Sequence, residues 1–386
     1  MKKTLHVGLV LLNLPLDKTC GSCRHVGDLA SALIKKGIRV TIFASWSQDR
    51  KHVSDLKRKG IYIREINFPS LKSWGNFVNQ KNSLFVNKGV FACIQSIISE
   101  NKKHPIDVLN IQHLIGSPVV GAAIKHFLDI PFVLTCQGSD IYELSDKKYK
   151  NMFSLASVSD ALICISPKVK KSILLMNDQI KTVKKLLIIP LGVDKDVFRC
   201  FNRPRKNQVL FAGRLIREKG VDEAIKVFLS ATNSKELSHY KLVIAGCGDL
   251  ETSLKKKYAS FIKEKRIIFL GPASQKKIVS IFNDSKVFLF TSTWEEPFGM
   301  VLTESLATGT PVLANNVGFV KEIISKEAGI VIPKNNWTKF AIELKKLLSD
   351  DKRWDYLSRG AKIASNRYDW DETVKAIIKV YESVIN

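Results

Sequence analysis

Two carboxylates eight residues apart, Glu296 and Glu304, stand in the stretch FLFTSTWEEPFGMVLTESLATGTPVLA. Glu296 leads into a glycine-containing turn (Pro297, Phe298, Gly299), and Glu304 falls inside a helical pattern. Before the turn, the apolar run from Val287 to Phe290 is short and rich in β-branched and aromatic residues, as a buried strand is. After Ala307, Gly309 and Pro311 comes a second such run, Val312 to Ala314, so the spacing predicts strand, loop, helix and parallel strand. In such a unit a ligand sits at the carboxyl ends of the strands and at the helix N-terminus, where free N–H groups and the macrodipole favour anions. Two acidic side chains on a rim that otherwise attracts phosphate suit a ligand with hydroxyls beside its phosphates, which describes a sugar nucleotide.

Cations stand at the matching place earlier in the chain. Arg214 and Lys219, in GRLIREKG, lie between the run Val209 to Ala212 and a helix from about Glu218, where they can meet a pyrophosphate. Arg offers a planar bidentate fork and Lys a point charge; plain surface charge is the alternative. The E-x7-E pair with A-x-G-x-P-V (Ala307, Gly309, Pro311, Val312), G-R-x-x-x-x-K-G (Gly213, Arg214, Lys219, Gly220) and P-x-G-V-D-x-x-x-F (Pro190, Gly192, Val193, Asp194, Phe198) together resemble the retaining glycosyltransferases of family 4, which have the GT-B fold. Either glutamate spacing or a lone G-x-G, as at Gly246 and Gly248, would be weak by itself.

The resemblance implies an α/β chain of two Rossmann-like domains with parallel sheets facing a cleft. It implies a first domain over 1–200 on the acceptor side, a linker over 201–207 (NRPRKN in polar, basic sequence), a nucleotide-sugar domain over 208–367 and a crossover helix over 368–386. By the same resemblance Arg214, Lys219 and Glu296 are the catalytic group. Donor contacts are implied for Gly21, Gln137, Arg214, Lys219, Gly271, Glu296, Phe298, Gly299, Met300, Val301 and Glu304. Glu304 would take the ribose, Glu296 with the Phe298 and Gly299 backbone the sugar hydroxyls, Arg214 and Lys219 the diphosphate, and the backbone near Gly271 the base. Three positions depart from the family pattern: the first loop reads Gly21-Ser22 where a Gly-Gly pair is usual, Gln137 stands where many members have histidine, and 316–319 (NVGF) again lacks Gly-Gly. Gln137 can form hydrogen bonds but cannot carry a proton charge. His113, at the end of the preceding strand pattern, is either structural or turned to the same cleft.

The remaining strand patterns position these groups. Thr4 to Leu12, Val40 to Ala44, Ile61 to Ile66, Asp107 to Gln112, Pro131 to Thr135, Ala161 to Ile165 and Leu187 to Pro190 serve the first half; Leu242 to Ala245 and Ile267 to Leu270 serve the second. Val26, Leu29, Ala30, Leu33 and Ile34 form the apolar face of a first helix closed by Lys36-Gly37. Between Phe68 and Lys103, Phe68, Leu71, Trp74, Phe77, Leu84, Phe85 and Phe91 interleave with Lys72, Lys81, Lys88, Lys102 and Lys103. That pattern fits a core-facing helix with solvated lysines or an interfacial amphipathic surface.

A chain of 386 residues suggests two domains, each with its own core. A hydrophobic fraction of 45% and mean hydropathy of -0.01 are ordinary for a soluble protein, and no apolar run reaches the ~18 residues of a membrane span. The N-terminus imitates a signal peptide but lacks a small-x-small cleavage site, and its apolar residues are needed as a first strand. Seven scattered cysteines argue for reduced, buried thiols and a cytoplasmic setting. Cys20 and Cys23 have no second pair or histidine set for zinc, so no metal and no cofactor beyond the donor is expected.

A net charge of +25, with both halves basic, is either solvated lysine or attraction to an anionic membrane surface or an acidic acceptor; no nucleic-acid-binding motif is present. The expected activity is hexosyl transfer from a nucleotide diphosphate sugar to a glycan or lipid-linked acceptor, on the inner face of the cell membrane. A sugar-nucleotide epimerase would instead convert donor without acceptor, a phosphorylase would need free phosphate and a pyridoxal lysine, and a sugar-nucleotide-binding protein would bind without turnover.

Overall fold

A computed structural model describes residues 4–15, 21–45, 47, 49–66, 83–114, 118–138, 155–176 and 178–385. Contacts divide the chain into two units, Met1–Pro190 with Asp371–Asn386, and Leu191–Trp370.

The first unit is built on a sheet of seven strands: β1 (His6–Pro15), β2 (Arg39–Ser45), β3 (Tyr62–Ile66), β4 (Val108–Gln112), β5 (Phe132–Cys136), β6 (Ala161–Cys164) and β7 (Leu186–Ile188). Their order is β3-β2-β1-β4-β5-β6-β7, and every pairing is parallel. β4 and β5 are buried along their whole length, as strands covered on both faces must be. That burial includes the polar side chains of Asn110, Gln112 and Thr135, which need hydrogen bonds inside the core. Gly121, on the helix Pro118–Leu128, lets that helix lie against the Phe132 ring, where a Cβ would come within 2.5 Å. The last helix, Trp370–Ile385, buries Val374, Ile377 and Tyr381.

The second unit has six parallel strands: β8 (Gln208–Ala212), β9 (Lys241–Ala245), β10 (Ile267–Gly271), β11 (Val287–Phe290), β12 (Val312–Asn315) and β13 (Gly329–Ile332). The order is β10-β9-β8-β11-β12-β13. Its core joins Val209, Leu242, Ile244, Leu289 and Leu313 of the sheet to Ile225 and Phe228 of the helix Val221–Ala231 and to Phe340 and Leu344 of the helix Trp337–Ser349. Asn336 and Asp350 cap successive helices by accepting from Lys339 N at 3.0 Å and Arg353 N at 2.9 Å, each cap contributing about 1 kcal/mol.

Residues 191–207, which include the stretch 201–207, are grouped with this second unit. Arg205 donates to the Phe282 and Thr308 carbonyls at 2.7 and 2.6 Å, and Asn283 holds the Phe201 N–H at 2.7 Å. At the other end Tyr368 belongs to the second unit, and the first resumes at Asp371.

Cys23, Cys93, Cys136 and Cys164 are buried free thiols. Of the aromatic and lysine stretch, 67–82 and the side chains of Leu84, Phe85 and Lys88 lie outside the described residues, as do Cys20, Ser139, Asp140 and the Ser22 side chain. Phe91 is exposed on the helix Ser83–Lys103. No helix among the described residues is long and apolar enough to cross a membrane.

Candidate functional site

In the second unit the chain runs from β8 outward to β9 and β10, then returns to β11 on the other side of β8. The loops after β8 and β11 therefore diverge from adjacent strands, which opens a crevice at their carboxyl ends. Lys219 follows β8 and Glu296 follows β11, and the two side chains form an ion pair across that switch point. Both are shielded: the Glu296 side chain is 8% exposed and that of Lys219 24%. Ser292 Oγ lies 3.0 Å from Glu296 Oε1 and 3.1 Å from the Glu218 carbonyl, sharing its one proton between the two. An ammonium has three donors, so the pair leaves Lys219 able to meet an anion while Glu296 holds it in place.

Backbone contacts keep the loops at this spacing. The N–H of Thr293 donates to the Glu218 carbonyl at 2.9 Å, and Thr291 Oγ1 donates to the Gly220 carbonyl at 2.7 Å. Gly220 has φ 66°, and a Cβ there would lie 2.0 Å from the Thr291 oxygen, so only glycine lets the two loops close on each other. On the far side the Phe319 N–H donates to the Glu296 carbonyl at 3.0 Å, and the Gly318 N–H to Glu295 Oε2 at 2.9 Å. Lys334 pairs with the other Glu295 oxygen at 2.8 Å. Phe298 is 1% exposed, stacked on Phe319 with centroids 6.1 Å apart and edge-on to Tyr368 at 5.8 Å. Its ring is thus committed to packing, and only its backbone can face a ligand.

Gly299 (φ 90°) turns the chain into the helix Met300–Ala307 with no side-chain cap. The N–H groups of Met300 and Val301 meet no acceptor among the described residues, which leaves them for an anion at the positive end of the helix. Glu304, one turn further on, is 2% exposed. Arg214, exposed directly after β8, has no hydrogen bond or ion pair among the described residues. Gly271 ends β10 with φ 67°, accepts from the Gly246 N–H at 2.9 Å, and has no atom within 4 Å of where a Cβ would be. Arg214 and Lys219 thus follow β8, and Glu296, Phe298, Gly299, Met300, Val301 and Glu304 follow the adjacent β11, while Gly271 ends β10, two strands from β8 in the same unit. Ser292 and Glu295 join the arrangement with no signal of their own in the sequence, and Gly318 joins it from the stretch 316–319 that departs from the family pattern.

Gly21 and Gln137 belong to the first unit. Gly21 is exposed at the start of the helix Gly21–Lys35, and Gln137 is buried just after β5, donating through Nε2 to Gln112 Oε1 at 2.6 Å. His113 follows β4 with φ 75°, is 1% exposed and donates its backbone N–H to the Thr135 carbonyl at 3.1 Å. Burial, and then the charge of His113, press His25 down to about 4, so that it is neutral at physiological pH. No group of three or more His, Cys, Asp or Glu among the described residues is placed to hold a metal ion.

Two family models match the chain without a break between residues 20 and 364: Glycosyltransferase Family 4 over 20–197 and Glycosyl transferases group 1 over 194–364. An uncharacterised glycosyltransferase of Methanocaldococcus jannaschii is 28% identical over 370 residues, covering 94% of this chain and 95% of its own. A D-inositol 3-phosphate glycosyltransferase of Acidothermus cellulolyticus is 30% identical over 220 residues, 52% of this chain and 48% of that protein. A phosphatidyl-myo-inositol mannosyltransferase of Mycobacterium leprae is 30% identical over 205 residues, 51% of this chain and 53% of that one. Among solved structures, Anabaena HepE in complex with UDP and glucose superposes with a TM-score of 0.76 at 17% identity, covering 99% of this chain and 100% of that one. The fold is therefore GT-B.

Proposed function

Because the chain belongs to the glycosyltransferases of the GT-B fold, we propose that it moves a hexose from a nucleotide diphosphate donor to a glycan or lipid-linked acceptor, with retention at the anomeric carbon. The observation that carries this is the Lys219–Glu296 pair at the switch point, with Met300 and Val301 N–H groups at the start of the following helix that meet no acceptor among the described residues. Cations and helix N–H groups there meet the diphosphate, and carboxylates meet hydroxyls. Glu304 binds the ribose, Glu296 and the Phe298–Gly299 backbone bind the sugar, and the open backbone at Gly271 takes the base. The same reading counts Gly21 and Gln137 among the donor contacts.

As the glycosidic bond opens, the sugar takes on oxocarbenium character and the leaving diphosphate gains negative charge. Arg214 and Lys219 act on that new charge, and an interaction that strengthens in the transition state is one that accelerates the step. Such preorganised cations do the work a divalent ion would otherwise do. Neighbours solved with UDP and with UDP-glucose favour a uridine donor. Inositol-directed relatives favour a glycolipid or cell-envelope polysaccharide product made at the cytoplasmic face of the membrane.

The test combines binding and turnover. At about 100 times its dissociation constant, the true donor among UDP-glucose, UDP-N-acetylglucosamine and GDP-mannose stabilises the chain by roughly 2.7 kcal/mol, read as a rise in Tm. Arg214→Ala and Glu304→Ala each lower donor consumption on the order of 10² to 10³-fold. Full activity in both variants would rule out this site, and donor loss without an acceptor would make the chain an epimerase.

A further inference from the structure

We propose that Asn110, Gln112 and Tyr381 are positioning residues that lock the amide of Gln137 with its oxygen outward, so that this position accepts a hydrogen bond from a hydroxyl of the donor sugar. This deepens the function proposed above and rests on it.

The four side chains form one buried chain in the first unit. Gln137 Nε2 donates to Gln112 Oε1 at 2.6 Å. Gln112 Nε2 donates to Asn110 Oδ1 at 3.0 Å, and the same oxygen accepts from Thr135 Oγ1 at 2.9 Å. Asn110 Nδ2 donates to Tyr381 Oη at 2.6 Å, on the helix Trp370–Ile385. Asn110, Gln112 and Tyr381 are each 0% exposed.

An amide has an accepting pole and a donating pole, so each bond in this chain constrains the next. Gln112 gives its N–H to Asn110 and thereby turns its oxygen to Gln137. Gln137 must answer with its N–H, which leaves Oε1 as the pole still available; no described residue donates to it. Reversing every amide would need the tyrosine to donate and would present an N–H instead, so the direction decides what Gln137 can recognise. Packing alone does not call for such a chain, because apolar residues would fill a doubly covered strand without the desolvation cost of four polar groups. Only its Gln137 end reaches a proposed donor contact. An imidazole at this position can donate to a ligand, whereas an amide held in this way selects a hydroxyl that donates.

The test is a double-mutant cycle, read as nucleotide diphosphate release from whichever of UDP-glucose, UDP-N-acetylglucosamine or GDP-mannose the wild-type chain consumes. Tyr381→Phe, which removes only the phenolic oxygen, should lower kcat about tenfold in the wild-type background and leave the Gln137→Ala variant within about twofold. Gln112→Met, which keeps the volume and removes the acceptor, should show the same coupling and serves if Tyr381→Phe does not fold. Fluorine accepts weakly and cannot donate, and it slows oxocarbenium formation in both chains alike, so replacing the contacted sugar hydroxyl by fluorine should cost the wild type more than it costs Gln137→Ala, by about the factor that Gln137→Ala itself costs. Independent, multiplicative effects of Tyr381→Phe and Gln137→Ala would overturn the proposal, as would a Gln137→Ala variant with full activity while Arg214→Ala is inactive. A wild-type chain that binds and consumes none of these sugars would overturn the proposed function and this inference together.

Discussion

At Gly318 the backbone of one loop touches the backbone of another. A Cβ on this residue would lie 1.9 Å from the Glu296 carbonyl oxygen, and φ is 58°, so an alanine meets both a clash and left-handed strain. Gly271 has nearly the same φ, 67°, and open space where a Cβ would go, so alanine there meets the strain alone. Gly271→Ala should therefore cost about 1–2 kcal/mol. Gly318→Ala should cost more and, by pushing the Glu296 backbone, should also weaken donor binding several-fold. Melting and titration with the donor check this; equal losses in the two variants would mean the loops separate freely. The comparison also marks what could be read from residues alone. Glu296, Glu304, Arg214 and Lys219 sit in local motifs, so their candidacy rests on types and spacing alone. Gly318 was visible only as a departure from a Gly-Gly pattern, because its reason is a contact 22 residues away in the chain. The Asn110–Tyr381 bond joins residues 271 apart and has no local trace at all.

Strands and helices were the most legible elements, since continuous apolar runs bounded by glycine and proline are what doubly covered parallel strands require. β13 (Gly329–Ile332) went unread: four residues following a short helix, two of them only partly buried, give too brief a run to separate from a turn. The helix Gly21–Lys35 shows what periodicity does not display. Its apolar face, Val26, Leu29, Ala30 and Leu33, was evident, yet His25 is buried with it. Held at about 4 in the folded chain, chiefly by burial and then by the charge of His113, His25 has an ordinary value of 6.5 when unfolded. The unfolded chain therefore takes up a proton first as pH falls. Stability is full above about 6.5 and declines between about 6.5 and 4, by on the order of 3 kcal/mol. His6, also lowered mainly by burial, adds a loss of the same sign. Urea unfolding between pH 7 and 4.5 should show a shallower decline in His25→Gln than in the wild type. An identical slope would mean that His25 is not the group responsible.

Taken whole, the chain joins two units with separate parallel sheets and carries a net charge of +25. That surplus exceeds what the candidate site uses, since Lys219 is paired with Glu296 and Arg214 adds one cation more. The acceptor proposed here is a glycan or lipid-linked sugar at a membrane, and no helix among the described residues is long and apolar enough to cross one. On that proposal the charge would offer the attachment. Each basic residue near an anionic leaflet contributes about 1 kcal/mol, and the field falls off within a Debye length of about 10 Å at 0.1 M salt and about 3 Å at 1 M. The chain should therefore sediment with phosphatidylglycerol vesicles at about 0.1 M salt, stay in solution with phosphatidylcholine vesicles, and leave the anionic vesicles at about 1 M. Retention at high salt would point to apolar insertion, for which the Phe91 face of the helix Ser83–Lys103 is the place to substitute first. Absence of binding at low salt would leave the lysines as solvated surface and remove the membrane from the proposal.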